Sequence, residues 1–90
     1  MNRIIITVVG KDRIGIIAKV CTYLAENTLN ILDISQTIVD GYFNMMMIVD
    51  FTGKKKDFDK VSEELAELGE GIGCVIRMQR EDIFDQMHRI

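Results

Sequence analysis

Residues 30–51 read NILDISQTIV, then Asp40–Gly41, then YFNMMMIVDF. The first run alternates: Asp33, Ser35 and Thr37 share one face, while Leu32, Ile34 and Ile38 share the other. That pattern predicts a strand over Asn30 to Val39 with one face toward a core. Asp-Gly between two such runs is a strong signal for a two-residue hairpin, because both turn positions need positive φ. The return strand, Tyr42 to Phe51, puts Met45, Met47, Val49 and Phe51 on one face and Asn44, Met46, Ile48 and Asp50 on the other.

Working outward, Arg3 to Val9 is β-branched and apolar on both faces, and Gly10 ends it. This predicts a central strand. Lys11 to Gly15 reads as a polar loop. Ile17, Val20, Cys21 and Leu24 then recur at helical spacing, and Asn27, which tolerates the left-handed conformation, is the expected stop. After the hairpin, Asp57 is a plausible N-cap for a second helix with Phe58, Val61, Leu65 and Leu68 on its apolar face and Gly69 as its stop. Gly73 opens a fourth strand, Cys74 to Gln79. The tail places Ile83, Met87 and Ile90 on one helical stripe beside Phe84, which predicts a short C-terminal helix over 80–90.

The order βαββαβ predicts an α+β, ferredoxin-like sandwich: a four-stranded antiparallel sheet in the order 4-1-3-2, with two helices on one face. The other face is expected to carry Thr7, Ser35, Thr37, Asn44, Arg77 and Gln79 around an apolar group of Ile5, Met46, Ile48 and Val75. Such a patch calls for a cover, and the tail helix, from its own chain or a partner's, is a candidate. The second strand falls at an edge and has neither proline nor lysine. Long unprotected edges tend to pair with another chain, so a homodimer joined in part through this strand is expected.

Composition bounds the function. Ninety residues fit one domain, residues 1–90, with a core over 1–79 and the terminal helix after it. At 48% hydrophobic and 28% charged, the chain suits one two-layer core but not a deep enclosed active site. A net charge of -3, from 11 basic and 14 acidic residues, argues against a general nucleic-acid binder. The one basic run, Lys54–Lys56, reads as a solvated loop. Cys21 and Cys74 are far apart, lack CxxC spacing and sit in apolar patterns, so both are expected to be reduced and buried. No stretch approaches the ~18 apolar residues of a membrane span, and MNRIIITVVG reads as a strand rather than a leader. A cytoplasmic protein is expected, without membrane or nucleic-acid partners and without a cofactor.

Few residues suggest chemistry. The loop Gly10–Lys11–Asp12–Arg13–Ile14–Gly15 enters a helix whose positive end suits a carboxylate or phosphate. Equally, the glycines serve a tight turn and Asp12 caps the helix. Met45–Met46–Met47 suits Cu(I) in ligand type, but Met46 points away from its neighbours on a strand, so core packing is the better account. His88 has no second histidine near it in sequence, and no metal site is expected. No nucleophile–base constellation is evident.

The run Asp12–Arg13–Ile14–Gly15–Ile16–Ile17–Ala18–Lys19–Val20, then Leu24–Ala25–Glu26, then Leu29–Asn30–Ile31, resembles the signature of the ACT domain. Asp33–Ile34–Ser35–Gln36–Thr37 followed by Tyr42–Phe43–Asn44–Met45 resembles the small stand-alone members related to the glycine-cleavage-system repressor. The resemblance spans essentially the whole chain and implies a regulatory module that binds an amino acid or related metabolite between subunits. By that resemblance the ligand-binding role falls on Asp12, Arg13, Gly15 and Ile16 and on Asn30 with Ile31. Backbone around Gly15 would hold the ligand carboxylate. The Asn30 amide would accept from the ammonium or donate to the carboxylate. Asp12 would pair with the ammonium or cap the helix. Many members have proline where this chain has Ile14, which leaves this loop less rigid.

The resulting expectation is a non-enzymatic homodimeric or higher-order sensor acting in trans on a partner protein, because the chain leaves no room for an attached effector. The alternative is a protein–protein adaptor of the same fold without a small ligand. An acylphosphatase-type enzyme lacks the rest of its glycine-rich loop here. An RNA-binding sheet lacks exposed aromatics on its first strand.

Overall fold

Each predicted strand and helix up to residue 80 forms, in the order β1 (Arg3–Gly10), α1 (Arg13–Glu26), β2 (Asn30–Val39), β3 (Tyr42–Asp50), α2 (Phe58–Ile72) and β4 (Cys74–Arg80). This computed structural model describes residues 3–11 and 13–80, with the backbone alone at Arg13. The expected C-terminal helix falls outside them, apart from Arg80, which ends β4. The sheet is antiparallel in the order β2-β3-β1-β4, which is the predicted 4-1-3-2 read from the other side. The chain therefore has a ferredoxin-like fold.

The Asp40–Gly41 turn has φ of 54° and 80°, the positive pair that a two-residue hairpin requires. It sets the register Val39↔Tyr42, and the ladder then runs back to Asn30↔Asp50. Ile4, Ile6 and Val8 of β1 join Met45, Met47 and Val49 of β3 and Cys74 and Ile76 of β4 in one core beneath the helices. Strand alternation puts the opposite set, with Ile5, Thr7, Asn44, Met46, Ile48, Val75, Arg77 and Gln79, on the second face, as expected.

Three details differ from the sequence reading. First, α1 starts at Arg13, so Ile14 and Gly15 belong to its first turn rather than to a loop. Its most buried residues are Ile16, Val20 and Leu24, while Ile17 and Cys21 are half-buried. The first turn leans onto Gly10, where an added Cβ would lie 2.5 Å from Ile16 Cδ1, so Ile16 joins Val20 and Leu24 on the buried stripe. The left-handed residue after α1 is Thr28, with φ 56°; Asn27 is instead buried, and its Nδ2 donates to the Tyr23 carbonyl at 2.9 Å.

Second, α2 runs past Gly69. Asp57 caps it as expected, accepting from the Lys60 N–H at 2.9 Å. The C-cap is Gly73, whose φ of 73° aims its N–H at the Gly69 carbonyl. Gly69 is buried inside the helix because a Cβ there would lie 2.8 Å from the Cys74 carbonyl oxygen.

Third, β2 is not half-buried. All residues from Leu32 to Val39 are exposed, since the helices cover the other strands and stop short of this edge. The register also shifts between Ile31 and Asp33, so Leu32 drops out of the alternation as a bulge. Ile34, Gln36 and Ile38 still share the helix side, but as an uncovered shelf on which Ile38 is 65% exposed.

A polar link ties α1 to α2. The Tyr23 hydroxyl donates to Glu64 Oε1 at 2.7 Å, and Lys56 Nζ donates to the same carboxylate at 2.8 Å. Lys56 is thus paired rather than freely solvated. Lys56 and Tyr23 together hold the Glu64 carboxyl below its usual range. Burial, then the Glu64 bond and charge, pushes the Tyr23 phenol well above its usual value. The folded phenol titrates higher than the unfolded one. Its contribution is therefore complete below about pH 10 and is lost as pH rises further. Tyr23→Phe is expected to cost about 1 kcal/mol at pH 7. Urea titrations across pH should show that deficit shrinking above about pH 10.

Candidate functional site

The residues singled out in the sequence form two groups at opposite ends of the sheet. The first sits where β1 gives way to α1. Gly10 pairs with Phe43 on one side and Cys74 on the other, and Ile16 packs directly over it. Gly15 is half-buried in the first turn of α1, Ile16 is fully buried and Ile14 is 81% exposed. Asp12 and the side chain of Arg13 lie outside the described residues. Lys11 Nζ stands 5.4 Å over the Tyr42 ring, which ties this end to the hairpin.

The second group is Asn30 and Ile31, where β2 begins. Ile31 pairs with Val49 and packs on the core; Asn30 pairs with Asp50 and is exposed on the sheet's second face. Between the two groups runs α1, fourteen residues or about 20 Å at 1.5 Å per residue. Within one copy the described candidates, Gly15 and Ile16 on one side and Asn30 and Ile31 on the other, do not converge. Ile16 and Ile31 are core residues as well as candidates.

The two ends also differ in electrostatics. The α1 end carries the positive pole of the helix, with no acidic residue in the helix's first turn, and Lys11 beside it. The β2 end carries Asp50, whose carboxyl is held below its usual range by hydrogen bonds from Thr52, including the backbone N–H at 2.9 Å.

A hollow of about 350 Å³ opens along the uncovered edge, lined by Gln36, Thr37, Ile38 and Phe43. Since Phe43 pairs with Gly10 and Ile38 with Phe43, this hollow lies at the α1 end of the sheet. Its lining was missed in the sequence because Ile38 reads as core. Among the described residues no three His, Cys, Asp or Glu side chains gather as a metal site, and no helix is long and apolar enough to cross a membrane. Cys74 is buried and Cys21 half-buried, both as free thiols.

Residues 2–79 match the sequence profile of the ACT domain. The chain belongs to the ACT domain family. ACT domains are small regulatory ligand-binding modules that commonly bind amino-acid ligands and dimerise. The chain is 62% identical over 90 residues to a UPF0237 protein of Bifidobacterium longum, with all of both chains aligned. It is similar to an ACT domain protein from Streptococcus pneumoniae: 44% identity, TM-score 0.81, 92% of this chain and 93% of that one. It is also similar to a protein provisionally assigned as a glycine cleavage system transcriptional repressor: 25% identity, TM-score 0.72, 88% of this chain and 45% of that one.

Proposed function

We propose that this ACT domain senses an amino acid or a closely related metabolite between two copies of itself, and that the bound state is read by a partner protein. The observation that carries this reading is the separation of the two residue groups along an unpaired edge strand. If two β2 strands meet antiparallel about their middle, Asn30 and Ile31 of one copy fall beside Ile38 and Val39 of the other. The Asn30 end then reaches the α1 end, and a carboxylate-bearing end meets a positive one. A zwitterion suits that junction, its carboxylate toward the helix terminus and its ammonium toward the acidic end. The apolar shelf of Ile34 and Ile38 would be covered in the same step. Binding that bridges two copies couples ligand to assembly, because each favours the state the other favours.

The test combines titration calorimetry against the amino acids, glycine and serine included, with sedimentation velocity. At least one ligand should give heat with the unaltered protein. Gly15→Val and Asn30→Ala should each weaken it roughly tenfold or more, the size of one lost polar contact to a charged group. Ile34→Lys with Ile38→Lys should yield monomer that no longer binds. A monomer in dilute solution, or binding that survives both site substitutions, overturns the assignment. A stable dimer that gives no heat with any amino acid favours the adaptor reading.

A further inference from the structure

The hollow along the uncovered edge has one polar side chain on the helix side. Of its four lining residues, Ile38 and Phe43 are apolar, Thr37 belongs by alternation to the second face, and Gln36 shares the helix side with Ile34 and Ile38. Gln36 lies between those two isoleucines on its own strand and pairs with buried Met45 on β3. Its side-chain amide has no hydrogen-bond partner among the described residues, and in a single copy it is exposed to water.

Joining two copies changes that setting. The ladder uses nine positions of β2 from Asn30 to Val39, with Leu32 skipped, and Ser35 is the middle one. Antiparallel pairing about Ser35 sets Ile31 opposite Ile38 of the other copy, and Gln36 opposite Ile34 of the other copy, all on the helix side. Water is removed from the Gln36 amide and every neighbour that replaces it is apolar. A buried amide left unpaired is costly, so this position calls for a ligand group that both donates and accepts. None of the four lining residues is charged, and an ionised side chain would be desolvated there without a counter-charge.

We infer that the hollow takes the side chain of the bound amino acid, and that Gln36 selects a carboxamide at its end, as in glutamine, by exchanging two hydrogen bonds with it. The inference rests on the reading of an amino acid held between two copies. Reach favours a long side chain: Gln36 lies two residues beyond Ile38, which pairs with Phe43 at the α1 end, so about 7 Å separates them along the strand. Glycine and serine fall short of it. Methionine has the length but leaves the amide unpaired, and glutamate brings an uncompensated charge.

Titration calorimetry of the unaltered protein with glutamine, glutamate and methionine tests this. Glutamine should bind about tenfold tighter than either of the others, or better. Gln36→Leu, at an exposed position of an edge strand, should weaken glutamine about tenfold and bring methionine level with it. Without ligand the same variant should dimerise more tightly in sedimentation velocity, because no amide is buried unpaired. Glutamate or methionine binding as tightly as glutamine overturns the inference, as does an order of preference unchanged by Gln36→Leu, or a dimer weakened by it. In each of those cases the broader reading survives if some other amino acid still binds. Absence of heat with every amino acid overturns both.

Discussion

Phe51→Ala is expected to remove most of the stability of this fold. Phe51 is the largest fully buried side chain and only 1% exposed. It follows β3 and closes the core where α2 begins: its ring lies 6.4 Å from that of Phe58, tilted by 58°, with Lys54 Nζ 5.5 Å above it. Truncation loses the transfer free energy of the ring and leaves a cavity that a two-layer core can collapse onto only in part. Phe→Ala changes of this kind cost about 3–5 kcal/mol. Small domains sit near the lower end of the roughly 5–15 kcal/mol range, so little would remain. Urea unfolding followed by circular dichroism, at one protein concentration because dimerisation would add to apparent stability, should show the midpoint falling steeply. Phe51→Leu keeps the site apolar and should recover most of the loss. A midpoint for Phe51→Ala close to that of the unaltered protein would show that the core is not organised around this ring.

The second large effect is expected at Gly10. A Cβ there would lie 2.5 Å from Ile16 Cδ1 and 2.6 Å from Cys74 Cβ. The Ile16 methyl can swing aside, but the Cys74 Cβ is fixed to a strand that pairs with Gly10 itself. Even alanine must part β1 from β4 at their end or lift the first turn of α1. Overpacking of this kind costs about 1–3 kcal/mol, and Gly10→Val should exceed Gly10→Ala. The damage should be local first, with faster hydrogen exchange through the first turns of α1 than through α2. Gly71→Ala is the contrast: it lies in α2 with nothing within 4 Å of an added Cβ, and the better helix former should gain up to about 1 kcal/mol there. Equal effects at the two glycines would refute the steric account.

The architecture was legible because its punctuation was local. Asp40–Gly41 announced the hairpin, the apolar face of β3 followed from alternation, and β1, apolar on both faces, read as a central strand. What the sequence left unread were distinctions between residues of similar local character. Gly69 and Gly73 look alike as helix stops. Only the Cys74 carbonyl beside the first and the left-handed φ of the second tell a close-approach glycine from a capping one. Thr28 takes the left-handed position expected of Asn27 because the asparagine is buried and bonded back to Tyr23. Ile34 and Ile38 read as core, since periodicity reports which residues share a face and not whether anything lies over it. The candidate site was legible as two short patches of sequence; their separation by the length of α1 was not, because distance between patches is a property of topology.

The bulge at Leu32 gives β2 two reading frames. Counted by alternation, Ile31 belongs with Asp33, Ser35 and Thr37, and Ile34 belongs to the other set. In the ladder, Ile31 shares the helix side with Ile34, Gln36 and Ile38. Leu32 thus works as a one-residue insertion that the strand absorbs. Excising it, or its neighbour Asp33, would leave every other pairing in phase, whereas a deletion within Ser35 to Ile38 would put the residues between the bulge and the gap on the wrong face. The segment tolerates a change of length at the bulge and not further along the strand.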